Sequence, residues 1–511
     1  MNSVNGMKAC LVMQRRFAYI GHELALLMKE SGAVDQFCGY VILRDSYDYL
    51  RAQKDIEYTS LILDEDIQKQ YAGETLDSDF LEAFERDHGS VWSYIGVDRV
   101  LRYGQLVREY PHNTSPYSNE ELLKMVQVYV RHITLFLERE KPDFIFTYSP
   151  GALGMLLLYS IAKKKGIPVI NVVFPFTRNR IAVSELYGRL TWVEALLKEH
   201  QDTKIEDIPH YAEAKMYVEE FRERPVIYSK VYASLIKHGK RAQFSFLLPK
   251  NIHRSVTSVY GLIRKWIRDT EKRSDYTTVH PLFYIYDRTK RKLRNLVGAD
   301  DLYDVYEPER TFVFYPLHYE PELAIYLLSP YDHDQLAIIR RIAQSVPAEM
   351  LVYVKEHPQM TPYRPRAFYK EIKKIPNVRL LRPEISGFDI IAASSLVTVI
   401  SGAAGWEATL LGKPVITFGT TFYNAAPSTA RSITPEQLPE LIKTQLGTEV
   451  RDDDVVRFLS ALFEDSVECD LLHIWERERD RVQRHRELKG FAELIARKAA
   501  LLVREKSAAE H

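Results

Sequence analysis

LVYVKEHP at 351–358 and LVTVISGAAGWEATLLGKPVITFG at 396–419 decide how this chain folds. Each opens on a short, largely β-branched run that reads as a buried strand. The first leaves its strand through the turn Lys355-Glu356-His357-Pro358, the second through the small-residue loop Ser401-Gly402-Ala403-Ala404-Gly405-Trp406-Glu407, which opens a helix. Gly412-Lys413-Pro414 then stops that helix and starts the next strand, with Gly419-Thr420-Thr421-Phe422-Tyr423 as its exit. In a parallel α/β sheet such exits face one crevice beyond the carboxyl ends of the strands, where ligands bind.

Working outward, the same rhythm gives strands at Thr311–Tyr315, Met350–Val354, Val378–Leu381, Leu396–Ile400 and Pro414–Phe418, separated by helices near Asp334–Ala343, Ala367–Lys374, Gly387–Ala393 and Ala404–Leu411. This predicts an independent doubly wound domain over 310–433. Toward the N-terminus a second α/β domain is expected over 1–177. Its strands are Lys8–Met13, Phe144–Tyr148 and Pro168–Phe174, and a helical face runs from Leu122 to Leu137. Between the two, 178–309 reads as a mainly helical insertion, and 434–511 as a helical tail dense in Arg and Glu.

Composition excludes several function classes. Sixty-nine basic and 69 acidic side chains leave no global field for nucleic acid. Cys10, Cys38 and Cys469 lack the spacing of a zinc or redox site. No apolar run approaches the roughly 20 residues of a membrane span, so a cytoplasmic protein is expected. Charge is uneven, however: Lys230 to Arg294 holds 16 Lys or Arg against four acids, with Phe244, Phe246, Tyr260, Trp266, Phe283, Tyr284 and Tyr286 interleaved. Anionic lipid headgroups, an acidic glycan or a lipid-linked acceptor would suit that segment, as would a solvated helical face. The first of these would make the protein peripheral at the inner face of the cytoplasmic membrane.

The strand exits carry the chemistry. Lys355 and His357 can donate to a phosphate, Pro358 fixes the turn, and His357 also suits a general acid. The Ser401 to Gly405 loop lets backbone approach a phosphate at a helix N-terminus, Ser401 adds a hydroxyl, and Glu407 can accept sugar hydroxyls. A third exit, Tyr315-Pro316-Leu317-His318-Tyr319-Glu320-Pro321-Glu322, gathers His318, Glu320 and Glu322 where a base or nucleophile would be wanted. In the N-terminal domain, within Trp92 to Arg99, Asp98 can deprotonate an acceptor hydroxyl or pair with an arginine. A plain strand end, solvated loop acids and an ordinary ion pair stand as the structural readings of the same residues.

Tyr315 to Glu322, Val354 to Pro358, and Ser401 to Glu407 through Gly412-Lys413-Pro414 to Gly419 resemble the capsule polysaccharide biosynthesis family, which includes bacterial Kdo transferases; Trp92 to Arg99 matches more weakly. The His-Pro pair and the following Ser loop also resemble GT-B sialyltransferases. The resemblance implies a GT-B fold of two Rossmann-like domains and a glycosyltransferase that moves an acidic sugar from a CMP-linked donor. The acceptor would be a growing surface polysaccharide or its lipid-linked primer, and neither metal nor cofactor is implied. It puts His357 on the donor phosphate, Ser401, Gly402 and Gly405 near the nucleotide, and Glu322 where the family carries a catalytic acid. The chain departs from that pattern with His318 for Gln and Glu322 for Asp. Rival expectations are a nucleotide-sugar 2-epimerase of the same architecture and a non-catalytic glycan-binding component of an export complex.

Overall fold

The computed structural model describes residues 6–103, 115–177, 179–223, 248–268, 280–361, 363–476 and 480–509. The strands are β1 (Met7–Met13), β2 (Val34–Val41), β3 (Tyr58–Leu63), β4 (Phe144–Thr147), β5 (Val169–Val173), β6 (Arg180–Ser184), β7 (Phe312–Pro316), β8 (Leu351–Lys355), β9 (Val378–Leu381), β10 (Leu396–Val399), β11 (Val415–Thr417), β12 (Thr429–Arg431) and β13 (Ser466–Glu468). They make two sheets, ordered β13-β6-β5-β4-β1-β2-β3 and β12-β11-β10-β7-β8-β9.

The second sheet is parallel throughout. Read from its β9 edge it has the doubly wound order 3-2-1-4-5-6, with the topological switch point between β7 and β10. Its central strands are buried on both faces, which is why Leu396 to Val399 reads as an unbroken apolar run. Register levels the exits: Pro316 pairs with Lys355 and Phe314 with Val397, so Pro316, Lys355 and Val399 lie in one row.

The first sheet has the same 3-2-1-4-5 order from β3 to β5, all parallel, and is then extended by antiparallel β6 and β13. Two cores cover its faces. In one, Phe17, Leu24 and Met28 meet Phe491 and Ile495; in the other, Met125, Tyr129 and Ile133 meet Leu153 and Leu157. The helix Asn119–Glu140 that supplies the second core starts at a Ser118/Glu121 capping box and ends at Lys141, just ahead of Pro142.

Two compact units result, each described by itself: Met1–Arg102, Pro116–Leu196 and Leu462–His511 in one, and Leu197–Ala461 in the other. Two Rossmann-like α/β units with a long C-terminal helix, Arg481–Ala509, are the composition of the GT-B class.

The units redraw the expected boundaries. The start of the 178–309 stretch is not helical, because Arg180–Ser184 is a strand of the first sheet. The 434–511 stretch is no separate tail: Leu438–Leu446 packs in the second unit's core, and from Leu462 the chain rejoins the first unit, adding β13 and the final helix.

Candidate functional site

Lys355 closes β8 with only 8% of its surface exposed, and no described residue forms an ion pair or hydrogen bond with its ammonium. Burial pulls its pKa down to about 8, against the pull of Glu356, Glu384 and Glu407. A buried, unmatched cation is costly unless a ligand supplies the countercharge.

Next in the chain, Glu356 is fully buried and spoken for. It accepts from the His357 N–H at 2.6 Å, from the Tyr369 hydroxyl at 2.8 Å and from Arg364. Arg364, itself wholly buried, also holds Glu320 at 2.9 Å and donates to the His318 carbonyl at 2.6 Å. One guanidinium therefore ties the exits of β7 and β8 together. Sequence reading missed this residue, since it lies in a loop with no periodic signal.

His357 caps the short turn Pro358–Met360, its Nδ1 accepting from the Gln359 N–H at 3.3 Å. That leaves the proton on Nε2, as a donor without a hydrogen-bond partner among the described residues. Burial, then the charges of Lys355 and Arg364, push its pKa down to about 4, so the ring is neutral at neutral pH. Its ring packs edge-on against Tyr319, 5.7 Å between centroids.

His318 bridges the switch point. Its Nε2 accepts from the Ile400 N–H at 3.2 Å, which puts its proton on Nδ1, a buried atom without a hydrogen-bond partner. Burial, with the neighbouring His357 ring and the Arg364 guanidinium adding, takes its pKa to about 3, so it cannot act as a general base at neutral pH with its acceptor nitrogen already occupied.

Across the switch point, Ser401 is buried, yet its hydroxyl has no protein partner among the described residues. The helix Ala403–Leu410 starts at Gly402 without a side-chain cap, leaving its first N–H groups available. The two glycines of the loop serve packing. A Cβ on Gly402 would stand 3.1 Å from His318 Nε2, and one on Gly405 would stand 2.6 Å from the hydroxyl of Tyr423, which itself donates to the Gly402 carbonyl at 2.7 Å. Glu407 is buried without a hydrogen bond among the described residues, and burial lifts its pKa to about 7, with Lys355 pulling the other way.

The structure thus brings His318, Glu320, Lys355, His357, Ser401, Gly402, Gly405 and Glu407 to the carboxyl ends of β7, β8 and β10. Two expected catalytic acids acquire other roles. Glu320 is locked to Arg364 inside the protein, and Asp98 caps helices. One Asp98 oxygen accepts from Val100 N at 2.8 Å and Leu101 N at 3.1 Å; the other accepts at 2.8 Å from Leu153 N, the start of the helix Leu153–Lys164, whose own Ala152 cannot cap.

Glu322 precedes the helix Leu323–Leu328 and has no partner among the described residues. The protein around it pushes its carboxyl up toward about 7, but its side chain is open to solvent, and that exposure argues for the smaller shift. Among the described residues no three His, Cys, Asp or Glu side chains form a metal-binding group.

Protein FixF of Sinorhizobium fredii (strain NBRC 101917 / NGR234) is 33% identical over 116 residues, 22% of this chain and 27% of that protein. The chain thus spans about a quarter of that relative's length.

A solved KpsC of Thermosulfurimonas dismutans, named as a beta Kdo 2,7 transferase, aligns over 64% of this chain and 79% of its own at 12% identity and a TM-score of 0.34. The UDP-GlcNAc 2-epimerase of Methanocaldococcus jannaschii aligns over 90% and 99% at 10% identity and a TM-score of 0.24. Likenesses this distant do not decide the fold, which rests on the two sheets themselves. Residues 260–436, about a third of the chain and including β7 to β12, match the family described as capsule polysaccharide biosynthesis protein. This segment, which holds every strand exit of the site, is what the chain shares with that family.

Proposed function

We propose that the protein is a glycosyltransferase of surface-polysaccharide assembly, with its nucleotide-sugar donor at the β8 and β10 exits of the second unit. The observation that carries this reading is the buried ammonium of Lys355, unpaired among the described residues, next but one in the chain to a His357 whose Nδ1 is occupied and whose Nε2–H is left to donate, level with the uncapped helix start after Ser401. Three kinds of donor at one sheet edge suit a phosphate that gains charge as its bond to the sugar breaks. Lys355 and His357 stabilise that leaving phosphate, Ser401 and the helix N–H groups orient it, and Glu407 accepts hydroxyls of the ribose or sugar. Glu322, with Glu320 and Asp98 engaged elsewhere, takes the proton of the acceptor hydroxyl. The donor is a CMP-linked acidic sugar, and the acceptor is a growing glycan or its lipid-linked primer.

Equilibrium binding of CMP and UDP to the purified protein tests the phosphate assignment. His357→Ala should weaken the preferred nucleotide by about tenfold, the worth of one charge-assisted hydrogen bond. Unchanged affinity for both nucleotides would sink the reading. Incubating a nucleotide sugar without acceptor separates transfer from epimerisation, since only an epimerase interconverts the sugar.

A further inference from the structure

The helices Pro249–Arg268 and Pro281–Val297 pack on each other, with Trp266 of the first lying 4.8 Å from the ring of His280, which caps the second. Both expose apolar side chains that a water-facing helix would normally bury. On the first, Ile252, Val256, Tyr260, Ile263 and Ile267 are 46%, 62%, 64%, 41% and 71% exposed. At 3.6 residues per turn they fall within an arc of roughly 80°. Arg264 lies beside that stripe, and Lys250, Arg268 and Arg254 lie further round toward the opposite face.

The second helix repeats the pattern. Leu282, Ile285, Tyr286, Leu293 and Val297 share one exposed face, with Arg288 and Lys292 along one edge and Lys290 along the other. Its opposite side is fastened, as Arg291 donates to the Tyr363 hydroxyl at 2.6 Å and Arg294 to the Tyr363 carbonyl at 2.7 Å.

Together the two helices hold ten Lys or Arg and a single acid, Asp287, which pairs with Arg291. An apolar stripe edged by cations is the pattern of a helix that lies in a bilayer interface, the stripe among acyl chains and the cations at anionic headgroups. A protein partner would not require basic edges on both helices. Neither helix is long and apolar enough to cross a membrane.

We infer that this helical pair is a docking surface for an anionic lipid bilayer, a role that goes beyond donor binding and does not depend on it. Its attachment through Tyr363 sets the lipid-facing element one residue from Arg364, which braces the β7 and β8 exits. The expected segment from Lys230 to Arg294 is thereby narrowed to these two helices; its residues 230–247, with Phe244 and Phe246, and 269–279 lie outside the described residues.

Cosedimentation of the full chain with phosphatidylcholine vesicles, with and without phosphatidylglycerol, tests the inference. The wild type should bind only the anionic vesicles and be released by high salt. Arg254→Gln/Arg264→Gln/Arg268→Gln should lower that affinity on the order of a hundredfold, at about 1 kcal/mol per cation. Ile267→Asp/Leu293→Asp should abolish binding while leaving nucleotide affinity unchanged.

Three results would overturn it: no wild-type binding to anionic vesicles, loss with the charge variant but retention with the stripe variant, or a stripe variant that only dissociates an oligomer. The wild-type lipid and salt series stands even if a variant fails to fold.

Discussion

The two sheets share the order 3-2-1-4-5 around their first strand, yet they treat polar groups near their strand exits in opposite ways. In the first unit the buried acids and the tyrosine near the exits are answered. The Tyr148 hydroxyl donates to Gln14 at 2.6 Å, Asp64 accepts from Tyr40 at 2.6 Å and Tyr129 at 2.7 Å, and Asp98 takes three backbone amides. In the second, Lys355, Ser401 and Glu407 are buried without a hydrogen-bond or ion-pair partner among the described residues, as is the Nε2–H of the half-buried His357. Folding satisfies buried polar groups wherever it can. Groups held back from that rule, at unfavourable pKa values, are the ones on which the proposed donor site rests.

The largest expected effect comes from removing the brace that makes the second unit's exits possible. Arg364→Leu leaves Glu320 and Glu356 buried without their shared cation and should cost about 3–5 kcal/mol in chemical denaturation, with nucleotide binding lost. A cost under about 1 kcal/mol would mean that the two acids are solvated, contrary to their burial.

Next in size is a pH effect. Glu407 titrates near 7 when folded against an ordinary 4.5, so the native state holds more protons than the unfolded chain between those values. Stability should therefore fall as pH rises from about 4.5 to 7, by at most about 3 kcal/mol, and Glu407→Gln should flatten the slope. Lys355 runs the other way. Its folded pKa near 8 lies below the ordinary 10.5, so stability should climb with pH between about 8 and 10.5. A Gln variant that keeps the wild-type slope at acid pH would assign that slope to another group.

Smaller still, Lys355→Met should leave denaturation unchanged or slightly improved while nucleotide affinity drops by about ten- to a hundredfold, the range for a hydrogen bond to a charged group. An equal loss of stability would turn the lysine into a structural residue like those of the first unit.

The second unit was legible because its signals are local. Apolar runs, the Lys-Glu-His-Pro turn and the small-residue loop each sit within a few residues, and Gly387–Ala393 and Val378–Leu381 coincide with their expected spans. What stayed hidden is long-range. Arg364 joins two exits through contacts 44 and 8 residues away, and β13 pairs with β6 across most of the chain. The edge strands Thr429–Arg431 and Ser466–Glu468 are three residues each, too short for any periodicity to register. Asp98 shows the limit from the other side: its type and neighbours suit a base, and only the fold reveals that Leu153, 55 residues on, uses its second oxygen.

That residue also yields the smallest and most discriminating test. Asp98→Ala removes the acceptor for the first N–H of the helix Leu153–Lys164 and for two amides of its own turn, which should cost about 1–2 kcal/mol of stability. Nucleotide affinity should not move, because every candidate donor ligand lies in the other unit. The pairing with Lys355→Met is what gives the measurement force: one substitution spends stability and spares binding, the other does the reverse. If Asp98→Ala instead left denaturation unchanged and removed transfer to acceptor, its three amides would be incidental and the first unit would hold a reactive carboxylate after all.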